Sequence, residues 1–264
     1  ISTRDWSSDV CSSDLIPCLD IRDGKVVKGV QFQQIKEMGD PVVLAEAYAL
    51  QGADELVFYD ITASIENRFL FIDVLKKVAS TLFIPLTVGG GIRSVEDFRL
   101  VLQAGADKVS VNSAAITDPQ ILREAALRYG NQCVVLSVDV AKVGTSYHVF
   151  RQGGQVDTGI DALSWIQRGV ALGAGEVVVN TIDTDGCQSG YALEFLKQVC
   201  ETISVPVVAS GGAGSLMDFI DLFEKIPTID AALAASVFHT GALSVEEIKN
   251  ALANQGIRVR RKGY

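Results

Sequence analysis

Histidine is scarce in this chain. The two present, His148 and His239, stand far apart in sequence, so a histidine-centred triad or a zinc site has little to be built from. The five cysteines, Cys11, Cys18, Cys133, Cys187 and Cys200, are widely spaced and form no CxxC pair. No disulfide framework is expected, and a reducing cytoplasm fits. No apolar run approaches the ~18 residues that span a bilayer, and no basic cluster occurs before the tail of Arg258, Arg260, Arg261 and Lys262. With a net charge of -9, neither nucleic acid nor a membrane is an expected partner. No metal or cofactor is expected, and catalysis has to rest on carboxylates and lysine. A small anionic substrate remains compatible with this charge, because backbone amides and one or two lysines bind phosphate locally.

What is abundant is apolar sequence in a regular alternation: 48% of the 264 residues are hydrophobic. Short β-branched runs occupy Ile16–Asp20, Glu55–Asp60, Ile84–Val88, Lys108–Val111, Cys133–Asp139, Glu176–Asn180, Val205–Ala209 and Ala231–Ala235. Amphipathic stretches predict helices over Val42–Gln51, Arg68–Ser80, Val95–Ala104, Pro119–Tyr129, Ala162–Leu172, Ala192–Thr202, Leu216–Glu224 and Val245–Asn254. Near-continuous apolar strands imply a parallel sheet covered on its outer face. Eight such units in about 250 residues predict a (βα)8 TIM barrel, an α/β fold, as a single domain over residues 16–264. One irregular excursion follows strand five, where Tyr147–Phe150, Gly153-Gly154 and Gln155–Asp157 read as a hairpin.

The first fifteen residues, ISTRDWSSDVCSSDL, fit neither a helix nor a strand and contain no apolar signal-peptide core. Residues 1–15 are expected to be non-native, with RDWSSDVCSSDL matching the translation of a sequencing adapter.

The barrel is expected to be a fused duplication of a four-unit half. VGGGIRS at Val88–Ser94 is answered by ASGGAGS at Ala209–Ser215, and GADKVSVNSA, ending at Ala114, by IDAALAASVF, ending at Phe238. Asp20, at the end of run one, is answered by Asp139, at the end of run five. Three correspondences at nearly one offset exceed what similar turns produce by chance.

Each repeat carries candidate chemistry. Gly89-Gly90-Gly91 and Gly211-Gly212 each follow a strand and let backbone approach a ligand closely. Asn112-Ser113 and Ala235-Ser236 stand one strand later. Two such sites across one mouth suggest a substrate with a phosphate at each end. Asp20 and Asp139 face one another across that mouth as a candidate acid and base. Lys28 lies on a glycine-flanked loop that is either a lid over substrate or a solvated turn. Asp183, Asp185 and Asp60 stand at the same rim and are either functional or turn-stabilising. At the other end, Glu55, Lys108 and Glu176 open three strands; by composition alone they signal no more than solubility.

These residues are similar to the cyclase subunit of imidazole glycerol phosphate synthase, a histidine-biosynthesis family. The resemblance is carried by IPCLDIRDGKVVKGVQF, DELVFYDITAS, VGGGIRS, GADKVSVNS, IDTDGCQSGY, VVASGGAG and AALAASVFH, and runs from Ile16 to about Val259. It implies a barrel that uses ammonia from a separate glutaminase subunit, in a heterodimer. The substrate implied is the phosphoribulosyl-formimino aminoimidazole carboxamide ribonucleotide, and the products are imidazole glycerol phosphate and the aminoimidazole carboxamide ribonucleotide. Asp20 and Asp139 match the family's catalytic aspartates and Lys28 its loop lysine. Gly91, Asn112 and Ser113 match one phosphate site, Gly186, Gly212, Ala235 and Ser236 the other, and Asp185 a position close to substrate. Glu55, Lys108 and Glu176 match three members of the ring where ammonia enters, and Asp107 a docking residue. The fourth ring member in the family is an arginine, where this chain has Asp14. Cys187, Gln188 and Ala192 are further departures. The sister isomerase barrel of the pathway and a non-catalytic glutaminase-binding barrel remain the alternatives. CLDIRDGKVVKG favours the cyclase over the first, and the retained Asp20, Asp139 and Lys28 over the second.

Overall fold

The computed structural model describes residues 13–30, 33–63, 66, 68–185 and 189–260. The chain opens with β1 (Asp14–Arg22), which turns back through a hairpin of β2 (Lys25–Val30) and β3 (Gln33–Gly39) before α1 (Pro41–Leu50). Three units follow: β4 (Leu56–Asp60) with α2 (Ile72–Thr81), β5 (Leu86–Gly89) with α3 (Val95–Gln103), and β6 (Lys108–Val111) with a short α4 (Ser113–Thr117) and α5 (Gln120–Tyr129). The second half begins with β7 (Val134–Val143), its hairpin of β8 (Ser146–Arg151) and β9 (Val156–Asp161), and α6 (Ala162–Ala171). Then come β10 (Glu176–Thr181) with α7 (Leu193–Thr202), β11 (Val207–Ser210) with α8 (Leu216–Lys225), and β12 (Ala231–Ala234) with α9 (Ser236–His239) and α10 (Val245–Asn254).

Parallel pairing runs β1-β4-β5-β6-β7-β10-β11-β12 and returns from β12 to β1. The expected eight-stranded parallel barrel is therefore present. Strand alternation sorts its side chains into two layers. Leu15, Leu19, Phe58, Leu86, Leu136 and their neighbours face outward against the helices. A smaller set fills the interior: Ile16, Cys18, Val57, Val135, Val178, Val208, Ala231 and Leu233.

Local sequence explains the joints. Ser94 with Asp97 and Ser215 with Asp218 form capping boxes that start α3 and α8 at repeat-related positions. The aspartates that precede β4, β6 and β12 tie neighbouring strands together at the barrel's N-terminal end. Asp54 accepts from the Leu15 N–H at 2.9 Å, Asp107 from Leu86 at 2.9 Å and Asp230 from Val207 at 2.9 Å. Each thereby satisfies a strand-opening amide that helical sequence cannot reach.

Three expectations need correction. β1 begins at Asp14, paired with Ala231, two residues before the expected start at Ile16. Within the segment expected to be foreign, Leu15 is wholly buried; residues 1–12 lie outside the described residues. Asp20 and Asp139 do not close their strands either. β1 continues to Arg22 and β7 to Val143, each leaving the barrel as one arm of a hairpin. Finally, Lys28 stands on β2 of the first hairpin, whose β2–β3 pairing sets it beside Lys36. The excursion after β7 is therefore matched by one after β1, and the short α4 and α9 are likewise matched. The duplication extends to these insertions.

The first strand is also tied to the last helix. Lys249 on α10 contacts Asp54 at 2.6 Å, with side-chain exposures of 11% and 3%. Breaking a buried pair leaves one uncompensated charge. Lys249→Met should lower unfolding free energy by about 3 kcal/mol, read from the denaturant midpoint, and adding Asp54→Asn should recover part of the loss.

Candidate active site

One cavity opens at the C-terminal end of the barrel. Its floor and walls include Cys18 and Asp20 from β1, Tyr59 from β4, Ser137 and Asp139 from β7, Asn180 from β10 and Ser210 from β11. Lys28, Gly91, Asn112, Ser113, Asp185, Gly212, Ala235 and Ser236 line it as well. The structure thus brings together the expected catalytic and substrate-binding residues; Gly186 alone lies outside the described residues.

The two aspartates share an altered acidity and differ in support. Burial pushes Asp20 up to about 6; the Cys18 thiol, donating at 3.1 Å, pulls back and the negative charge of Asp185 adds to the rise. Burial also pushes Asp139 to about 6, opposed by Asn180 and Asn112 and reinforced by Asp185. Asn180 donates to one Asp139 oxygen at 3.0 Å and Asn112 to the other at 2.8 Å. Groups with this acidity exchange protons readily near neutral pH. The Cys18 thiol itself is driven upward by burial and by Asp20, so it is a hydrogen-bond donor here and not a nucleophile.

The glycine turns lie where close approach requires glycine. Gly90 has φ 97° and Gly211 φ 88°, in the left-handed region that side chains disfavour. A Cβ on Gly90 would collide with the Asp60 carbonyl, and one on Gly211 would lie 2.6 Å from the Thr181 carbonyl. The turns therefore pack on the neighbouring strand ends. Ser113 accepts from the Gln152 N–H at 3.0 Å, which hooks the second hairpin's tip over the first turn's side of the cavity. Asn112, expected at a phosphate site, spends its amide nitrogen on Asp139.

The rim carboxylates separate by role. Asp60 is buried, with Arg68 bonded at 2.6 and 2.9 Å and the amides of Ala63 and Phe71 at 3.1 and 3.3 Å. It is a structural clamp on the loop after β4. Asp183 accepts from the Lys142 N–H at 2.7 Å and anchors the second hairpin. Asp185 remains on the cavity wall.

At the opposite end of the barrel Lys108 contacts Glu55 at 2.7 Å and Glu176 at 2.6 Å. One ammonium serves two carboxylates. Burial, only partly offset by Lys108, raises Glu176 to about 7. Asp14 lies at the same end and contacts Arg260 at 3.1 Å. Asp107 is exposed, with one oxygen on the Leu86 amide. Among the described residues no cluster of three His, Cys, Asp or Glu could hold a metal, and no helix is long and apolar enough to cross a membrane.

Asn180, Ser210, Cys18, Tyr59 and Arg68 were not anticipated from sequence. Strand alternation could have found Cys18, which shares the parity of Asp20 on β1, and Asn180 and Tyr59, which pair with Asp139 and Asp20; Ser210 stands one strand further, beside Asn180. Nothing local could have found Arg68.

A duplicated parallel barrel with two buried carboxylates at its C-terminal mouth defines a (βα)8-barrel enzyme scaffold. The family model described as "Histidine biosynthesis protein" matches residues 14–244, and the chain belongs to that family. Within it, the chain is 51% identical over 248 residues to the imidazole glycerol phosphate synthase subunit HisF of Clostridium botulinum (strain Kyoto), covering 93% of this chain and 98% of the relative. It is 49% identical over 247 residues, with the same coverage, to the subunit of that name from Streptococcus mutans serotype c.

The raised pKa of Asp20 has a stability consequence. Between its unfolded value of 3.8 and its folded value of about 6, the folded state binds more protons, so stability falls as pH rises through that window. Asp20→Asn should stabilise the protein by about 1–2 kcal/mol at pH 8. The gain should disappear below pH ~4; thermal melts across pH check both.

Proposed function

We propose that the chain is the cyclase subunit of imidazole glycerol phosphate synthase and works with a glutaminase subunit. The observation that carries this is one cavity in which Asp20 and Asp139 lie between two duplicated glycine turns. A substrate with a phosphate at each end spans such a site, with its reacting centre held between the carboxylates. Gly91 and Ser113 hold one phosphate, and Gly212, Ala235 and Ser236 the other. Lys28, on the first hairpin, closes over the substrate and adds positive charge to an otherwise acidic mouth.

The chemistry requires protons to leave an attacking ammonia and reach a departing nitrogen, and water to be lost on ring closure. Two carboxylates near 6 serve that exchange because each is easily protonated and deprotonated at working pH. Ammonia released by the partner enters at the opposite end, past Glu55, Lys108 and Glu176. It then crosses an interior lined by apolar side chains, among them Val57, Val135, Val178, Val208 and Ala231. Asp107 lies on that docking face. Asp14, paired with Arg260 at 3.1 Å, puts a carboxylate at the opening where the family carries an arginine, so coupling to the partner is weaker than the barrel chemistry itself.

Two measurements follow. With the ribonucleotide, ammonium salt at high pH and no partner, the chain should form imidazole glycerol phosphate. Asp20→Asn and Asp139→Asn should each lose about 10²–10⁴-fold in kcat. Isomerisation of the ribonucleotide precursor without ammonia would assign the chain to the sister isomerase instead. With the glutaminase added, glutamine-dependent turnover should fall below ammonia-dependent turnover and recover on Asp14→Arg; equal rates before the substitution would contradict the role given to Asp14.

A further inference from the structure

The duplication supplies an internal comparison for the two carboxylates. By the repeat offsets, Asp139 corresponds to Asp20, Ser137 to Cys18, Asn180 to Tyr59, Ser210 to Gly89 and Asn112 to Ala235. Strand register agrees: Asp20 stands beside Tyr59 in the β1–β4 ladder, and Asp139 beside Asn180 in the β7–β10 ladder. Around Asp20 the counterparts provide no amide donor. Tyr59 pairs its hydroxyl with Ser110 at 3.1 Å, and Gly89 and Ala235 have no polar side chain. Around Asp139 both carboxylate oxygens are capped by amide N–H groups.

The two caps are not equal. Asn180 is fixed at both ends, because the Ser210 hydroxyl donates to its carbonyl oxygen at 3.1 Å while its nitrogen faces Asp139. That leaves a single orientation of the amide. The carbonyl oxygen of Asn112 is buried and has no hydrogen-bond partner among the described residues, so its bond to Asp139 is what orients it there. Tyr59 and Asp60 from β4, Cys18 and Asp20 from β1, Asp185 from the loop after β10 and Lys28 from β2 are the other titratable groups lining the cavity with Asp139.

We propose that Asn180, locked in orientation by Ser210, is a positioning residue that holds the Asp139 carboxylate in one geometry and favours its charged form, making the two aspartates non-equivalent in the reaction. This rests on the reading of Asp139 as an acid/base group. Charge-assisted hydrogen bonds favour the ionised carboxylate, so removing the donor shifts Asp139 toward its protonated form.

The test uses the full chain and two variants. Asn180→Leu removes the donor at similar volume, and Ser210→Gly recreates the first half's counterpart. Asp139 is titrated by carbon-13 carboxyl NMR, its signal assigned through Asp139→Asn, and ammonia-dependent kcat and KM are followed across pH. The Asp139 midpoint should move upward in Asn180→Leu, and less in Ser210→Gly. In Asn180→Leu, kcat should fall roughly tenfold to a hundredfold with KM within about twofold, and one limb of the pH profile should move to higher pH. An unmoved midpoint, or a loss confined to KM, overturns the proposal. If the parent chain shows no ammonia-dependent turnover, the functional reading falls, while the titration still decides whether Asn180 holds Asp139. Should Asn180→Leu fail to fold, Ser210→Gly carries the same two readouts.

Discussion

Keeping two carboxylates at the floor of one low-dielectric cavity is the constraint on which the site depends. Burial is the main force that raises Asp20 and Asp139 to about 6, Asp185 adds like charge to both, and their hydrogen-bond donors pull back. Such an arrangement costs folding free energy and persists because the barrel leaves the strands no alternative. β1 and β7 are locked between parallel neighbours. Their alternation sends Leu19 and Val138 outward into the core and so turns the adjacent aspartates inward. The large outer core supplies the stabilisation, and the inner layer is left for chemistry.

The same scaffold is used twice, with its halves differing around the site. Both halves open with a strand that leaves the barrel as a hairpin, both carry a glycine turn fixed against the preceding strand end, and both use a serine–aspartate capping box beyond it. The differences cluster around the carboxylates: a thiol supports one, and two amides support the other. The hairpins differ in placement as well. The first brings Lys28 to the cavity, and the tip of the second is tied to Ser113.

Much of this was legible in the sequence. Eight apolar runs, each followed by an amphipathic stretch, indicate a parallel sheet covered by helices, and eight such units in about 250 residues fit a barrel. Asp20, Asp139 and the glycine turns were legible through the repeat. What escaped was short or long-range. α4 and α9 are too short to show a helical period, and the β2–β3 arm reads as a loop because Gly24, Lys25, Lys28 and Gly29 interrupt its apolar residues. The clamp of Arg68 on Asp60 depends on how one loop folds over a strand end. The capping of Asp139 by Asn180 joins residues 41 positions apart, which strand parity permits but does not single out.

The two ends of the barrel are connected by its interior, where small apolar side chains separate a charged ring of Glu55, Lys108 and Glu176 from the carboxylate floor. The account holds that ammonia reaches the floor and ends up in the product. The most direct measurement supplies nitrogen-15 ammonium with the ribonucleotide and locates the label by NMR. The account predicts one nitrogen-15 in the imidazole ring of the product and none in the carboxamide ribonucleotide released. Unlabelled imidazole product, or an isomerised ribonucleotide formed with no ammonia consumed, would contradict it.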